Sequence, residues 1–315
     1  MPRPALLVLC TALLAVCSPA AAQSPDRPGL LLLAHGGQPA WNARVLDLAA
    51  RVGSDQPIEV AFGMASRPAI QKAIDALVAR GATRVVAIPL FVSSHSSVVT
   101  STEYLLGLRA EMPPDLRVFA RMRHGSHGAP ASHEHHAAAA APEDNTRPVV
   151  SPVPIQMTPA LNRHALVGEI LIDRARSISQ SPSEEAVILV AHGPVPDDDN
   201  ARWLADMDVL AAQMRAATTF GSIDALTVRD DAPAPIRDAA SAELRALVER
   251  RVADGRRVLI VPLLLSYGGI EQGIRKRLDG LPYAMPDQGL APDDRLVTWV
   301  RAMAAAAGVP ATVRQ

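Results

Sequence analysis

Apolar residues in this chain fall into short unbroken runs that alternate with stretches of helical spacing. Leu30 to Ala34 and Val85 to Val92 are two such runs, closed by glycine or serine turns, and they predict buried β-strands. Between them, Trp41, Val45, Leu48 and Val52 recur at steps of four, three and four, which makes one face of a helix. A further strand is expected over Ile58 to Met64. A second helix then follows, with Pro68 in its first turn, Ile70, Ile74 and Leu77 on its buried face, and Gly81 beyond its end. The order is β-α-β-α-β, and right-handed crossovers then imply a parallel sheet covered by helices on both faces.

The same order returns about 157 residues later. Ala186 to Gly193 repeats the run that ends in Ala34-His35-Gly36, and Trp203, Met207, Leu210 and Met214 repeat the four-three-four spacing. Ala240, Leu244, Leu247 and Val252, closed by Gly255, give the second helix, and Arg257 to Gly269 repeats the stretch beginning at Arg84. The chain reads as an internal duplication, one α/β domain over 28–180 and another over 184–310, each large enough to bury its own core. The copies are unequal. Setting Pro89 against Pro262 puts Ser94 opposite Tyr267 and His95 opposite Gly268, so the second half keeps His192 and lacks a second histidine.

One stretch breaks the pattern. Residues 123–150 hold His124, His127, His133, His135 and His136 among alanines and prolines, without helical or strand periodicity. This predicts a disordered insertion that collects divalent metal ions weakly through its His-x-His-His spacing. It interrupts the first half between an expected strand, Leu116 to Met122, and an expected last helix, Leu161 to Ala175.

Composition changes the picture mainly at the start of the chain. Arg3, the apolar segment Ala5 to Val16 and the run Ala20 to Ala22 predict a secretory signal over residues 1–22, hence an exported protein, periplasmic or secreted. The apolar segment is shorter than the roughly 20 residues of a spanning helix, which disfavours a retained anchor, so no membrane span is expected after signal removal. Val16 disfavours lipid attachment at Cys17. Cys10 and Cys17 both lie in that segment, leaving a mature chain without disulfides. Without Arg3 the balance is 30 basic to 32 acidic residues, which suggests neither nucleic acid nor an anionic membrane as partner.

If the strands ending before His35 and His95 are parallel neighbours, both imidazoles emerge at the carboxyl edge where open α/β folds hold ligands. Neutral imidazole binds cobalt, nickel, iron, copper and zinc, and it accepts protons. The recurrence of Ala-His-Gly in both halves argues against a chance core histidine. Other chemistries lack parts: no Gly-x-Gly-x-x-Gly follows the first strand, no arginine precedes the His-Gly pair, and no nucleophile elbow surrounds Ser94 or Ser96. Those serines are expected to solvate a loop or to bind substrate oxygens.

Leu33-Ala34-His35-Gly36 after the first strand, and Ile88 to Val92 followed by a loop histidine, resemble the class II tetrapyrrole chelatases, most closely the CbiX/SirB type of sirohydrochlorin cobalto- and ferrochelatase. The resemblance covers Leu30 to Leu108 and Val187 to about Ala304. It implies a duplicated flavodoxin-like α/β fold with a cleft between the halves, and a lyase of cobalamin-type ring biosynthesis with no organic cofactor. It further implies that His35 and His95 bind the incoming divalent ion, cobalt, nickel or iron, and take up pyrrole protons as it enters a tetrapyrrole. Where the family commonly supplies a glutamate ligand, this chain has Met64, a softer and neutral thioether that would lean the site towards copper; the alternative role for Met64 is core filler. Glu103 is a candidate substitute ligand. In the second half, Arg229 is expected to bind substrate carboxylates, with His192 and Tyr267 shaping the cleft. Two functions follow, an exported chelatase or an exported metal-binding or delivery protein that has kept the fold without the reaction. The sequence leaves the oligomeric state open.

Overall fold

The computed structural model describes residues 26–53, 56–121 and 143–309. The expected signal segment and the five histidines from His124 to His136 lie outside the described residues. Among the described residues, no helix is long and apolar enough to cross a membrane.

The first half runs β1 (Pro28–Ala34), α1 (Pro39–Val52), β2 (Ile58–Phe62), α2 (Arg67–Ala79), β3 (Arg84–Pro89), α3 (Ser97–Leu105), α4 (Leu116–Phe119), β4 (Ile155–Met157) and α5 (Ala165–Arg176). The second runs β5 (Glu185–Ala191), α6 (Asp197–Ala217), β6 (Ser222–Thr227), α7 (Ala234–Ala253), β7 (Arg257–Leu263), α8 (Ile270–Arg277) and α9 (Asp294–Ala306). All pairings are parallel, in the orders β2-β1-β3-β4 and β6-β5-β7. A lone parallel bridge from Leu259 to Ala284 marks the place of a fourth strand in the second half. The duplicated α/β architecture is therefore as the apolar pattern requires, because β1 and β5 are buried along their whole length and need helices on both faces.

Three expectations are corrected. The strand expected from Leu116 is instead a turn of helix over Leu116–Phe119: Leu116 and Phe119 are both buried three positions apart, which one turn of helix satisfies and an alternating strand does not. The fourth strand is β4, only three residues long. Residues 143–150, assigned to the disordered insertion, are ordered in part against α2: Gln71 exchanges hydrogen bonds with the backbone of Val150 at 2.8 Å in each direction, and Arg67 donates to the carbonyl of Arg147. The strand expected to reach Met64 also stops at Phe62, where Gly63 and Ala65 take positive φ.

The halves do not bury separate cores. α5, the last helix of the first half, packs on β7 and α6 of the second, while α9 packs on β3 and α1 of the first. Leu30, Leu32 and Ile88 thus share one central core with Val187, Leu189 and Val261. Two outer cores flank it, one under α2 and α3 and one under α7 and α8. Duplicated arginines secure the exchange. Arg84, at the start of β3, donates to the carbonyls of Ala307 and Gly308 beyond α9 at 3.0 and 2.7 Å; Arg257, its counterpart at the start of β7, donates to the carbonyl of Ile178 beyond α5 at 2.8 Å. Hydrogen bonds from a charged donor contribute about 1.5–3 kcal/mol each, so these are anchors rather than ornaments.

Candidate metal and substrate site

β1 pairs with β3 with Leu33 opposite Pro89, so the chain leaves both strands at one carboxyl edge and carries His35 and His95 into the loops there. The turn after β1 demands glycine. Gly36 has φ +78° and a Cβ there would lie 3.2 Å from the Cβ of Phe62; its counterpart Gly193 has φ +73° and only 2.5 Å to the Cβ of Thr227. His35 is exposed, and its Nδ1 lies 2.7 Å from the carbonyl of Gly36. A carbonyl only accepts, so Nδ1 carries the proton and Nε2 keeps the lone pair that a metal ion or a proton requires.

His95 is half-buried on a loop held from two sides. From its own half, Ser94 N donates to Asn162 Oδ1 at 2.7 Å, and Ser94 Oγ accepts from Ala160 N at 2.9 Å and from Asn162 Nδ2 at 3.1 Å. Asn162 does this from a left-handed backbone, φ +44°, which asparagine tolerates better than most residues. From the second half, Trp203 Nε1 on α6 donates to the carbonyl of His95 at 2.5 Å. Beside this loop opens a cavity of about 500 Å³, with an apolar wall at 159–161 and with His95, Asn162, Arg163, His164, Arg202 and Asp206 as its polar groups.

The other expected site residues stand elsewhere or do other work. Ser94 holds the His95 loop and Ser96 caps α3 by accepting from Val99 N, which is the loop role of the two expected for these serines. Met64 packs half-buried against the outer core beneath α2, the position of a core filler. Glu103 is half-buried on α3, where burial pushes its carboxyl up despite the charge of Arg109; it does not line the cavity. Arg229, expected to meet substrate carboxylates, is instead folded against the neighbouring loop between β5 and α6. Its side chain is 11% exposed, donating to the carbonyls of Pro194 and Val195 and pairing with Asp197 at 2.7 Å. His192 lies 3.4 Å from Asp231. Tyr267 donates to the carbonyl of Pro286 at 2.8 Å, and burial pushes its phenol up to about 12. Where the first half has His95, the second has Gly268, and its N–H and that of Gly269 donate to Glu271. The duplication therefore keeps a histidine pair on one side only. Asn162, Trp203, Arg163, His164, Arg202 and Asp206 went unnoticed in the sequence as site residues; only the positive-φ tolerance of Asn162 and the paired tryptophans 41 and 203 carry a signal there.

Residues 29–178 match the CbiX family model. The first half of the chain is similar to the CbiX family. It is 31% identical over 83 residues to the sirohydrochlorin cobaltochelatase of Methanothermobacter thermautotrophicus, a match over 25% of this chain and 58% of that protein. Among solved structures, SirB from Bacillus subtilis with Fe3+ superposes with a TM-score of 0.59 at 17% identity, covering 90% of this chain and 97% of SirB. The sirohydrochlorin chelatase SirB from Bacillus subtilis subspecies spizizenii, in complex with cobalt, gives 0.55 at 14%, covering 90% and 96%. The fold is that of SirB, and both halves take part in it.

Proposed function

We propose that the protein is a divalent-metal chelatase that inserts cobalt, nickel or iron, as substrate, into a sirohydrochlorin-like tetrapyrrole, and that it works after export. The observation that carries the reading is the histidine pair at one sheet edge, with Nδ1 of His35 against the carbonyl of Gly36 and His95 on a doubly pinned loop beside a cavity. Insertion exchanges one divalent ion for two pyrrole protons, so it needs groups that hold a cation and then accept protons. Neutral imidazole does both. The CbiX match and the likeness to SirB support this assignment.

The test is the visible spectrum of sirohydrochlorin with Co2+, Ni2+ or Fe2+ and the full mature chain. His35→Ala and His95→Ala should each lower the rate by about 100-fold or more, the scale of losing a positioned proton acceptor. A metal-dependent rate equal in wild type and both variants overturns the reading. One observation favours the second function, an exported metal-binding or delivery protein: Met64, standing where the family places a glutamate, is packed into the outer core. In that case calorimetry finds a tight divalent site abolished by either substitution while no insertion occurs.

A further inference from the structure

The duplication builds two equivalent grooves, and only one of them is open. Each groove lies between the loops that follow the third and fourth strands of one half and the opening turns of the first helix of the other. On the α1 side, Trp41, Arg44, Leu265, Ser266 and Ala291 close the groove to about 10 Å³, and Arg44 donates to Ser266 Oγ at 3.3 Å. On the α6 side the cavity is about 500 Å³. The matching burial of Val45, Leu48, Ala49 and Val52 with Met207, Leu210, Ala211 and Met214 sets Arg44 opposite Asp206. The arginine that helps fill the first groove is thus replaced by a shorter side chain in the second.

The open groove is lined by donors not yet used. Arg84, Arg174, Arg257 and Arg301, which bind the halves together, each donate to backbone carbonyls at 3.2 Å or less. Arg163 and Arg202 reach only Asp206 and Asp199, at 3.8 Å, beyond hydrogen-bond length, and their side chains are 64% and 62% exposed. His164 caps α5 through Nδ1, which accepts from Leu166 N at 3.3 Å. Its proton is therefore on Nε2, the reverse of His35, which makes it a donor rather than a metal ligand. Two planar guanidinium forks and one N–H donor over an apolar wall suit the edge of a flat ring that carries carboxylates.

We infer that the groove between residues 159–164 and α6 is a carboxylate subsite. It would take the edge of the ring, with Arg163 and Arg202 on peripheral carboxylates, while His95 faces the ring. This deepens the chelatase reading and rests on it for the identity of the ligand. It assigns the choice of substrate to the second half of the molecule, through Arg202, although that half lacks the histidine pair.

The test uses metal-free porphyrins as probes, titrated by fluorescence into the full mature chain: octacarboxylate uroporphyrin against a dicarboxylate porphyrin. Wild type should bind the octacarboxylate at least about 10-fold more tightly. Arg163→Gln and Arg202→Gln should each weaken that binding about 5- to 20-fold and flatten the preference, leaving Co2+ affinity and thermal melting unchanged; Arg→Lys should restore part of it. Both side chains are exposed, so neither variant should disturb folding. A preference unchanged in both glutamine variants, or absent in wild type, overturns the subsite. If the preference depends on the arginines but no metal is inserted, the chelatase reading fails and the subsite stands. If insertion proceeds at unchanged KM in both variants, the subsite fails and the chelatase reading stands.

Discussion

At the scale of single residues, backbone constraint and chemistry meet in the two Ala-His-Gly turns. Gly36 and Gly193 share a left-handed φ, but a methyl group at Gly193 would lie 2.5 Å from the Cβ of Thr227, against 3.2 Å from that of Phe62 at Gly36. Gly36→Ala should therefore cost about 1–2 kcal/mol, mainly the left-handed penalty, whereas Gly193→Ala adds a clash between two Cβ atoms and should cost about 3 kcal/mol. Urea denaturation of the two variants gives the comparison, and equal losses would show that φ alone sets the cost. His35 and His95 were legible in the sequence because each stands just beyond a continuous apolar run, and such runs fix where a sheet edge falls. The partners of Ser94 and Arg229 were not legible, for a common reason. A hydroxyl or a guanidinium announces hydrogen bonding without naming the partner, and in both cases the partner is backbone in a neighbouring loop rather than a substrate.

At the scale of elements, β1, α1, α2, β3 and their repeats were legible because buried faces impose a period on the sequence. β4 was not, since three residues set among prolines, none of them buried, are too few to show a period. Nor was the exchange of α5 and α9, because an apolar stripe says that a face is covered and not by which neighbour. The exchange depends on charge as well as packing. Arg257 ties the start of β7 to Ile178 and also pairs at 2.7 Å with Glu185, whose side chain is 1% exposed. Burial pushes the Glu185 carboxyl up, but hydrogen bonds from Ser179, Gln180 and Arg257 outweigh it and hold the group below the usual glutamate range. A depressed folded-state value contributes stability that is present above the unfolded value, about 4.3, and is lost as pH falls through the folded one. Arg257→Met strands a buried carboxylate and should cost about 2–3 kcal/mol at pH 7, at the low end for a broken buried pair because Arg257 is itself one-third exposed. The deficit should shrink as pH falls towards the depressed folded value of Glu185, because the stranded carboxyl of the variant takes up its proton first. Denaturant midpoints at pH 7 and pH 3.5 provide the measurement, and a deficit independent of pH would mean that the bond to Ile178 carries the whole effect.

At the scale of the molecule, the shared central core decides what kind of duplication this is. Two domains that each closed their own core could be separated; two sheets that exchange their last helices cannot. A fragment ending after α5 would leave α5 without β7 and α6, and would bare the faces of β3 and α1 that α9 covers, exposing Leu30, Leu32, Val45 and Ile88 together. Each of these large side chains gives up roughly 1.5–3 kcal/mol on exposure, so four of them outweigh much of the 5–15 kcal/mol by which a whole domain is stable. Fragments 26–180 and 181–309, expressed apart, should therefore lack a cooperative thermal transition. Mixed in equal amounts they should recover one, because the exchanged helices are themselves the interface. Calorimetry of the fragments alone and combined makes the measurement, and a sharp transition in either fragment alone would mean that the exchange is not required for folding. The same arrangement explains why the two histidines remain in one half while their surroundings come from both. Trp203 fixes the His95 loop from across the molecule, so loss of the second half should abolish the geometry of the site even where β1 and β3 persist.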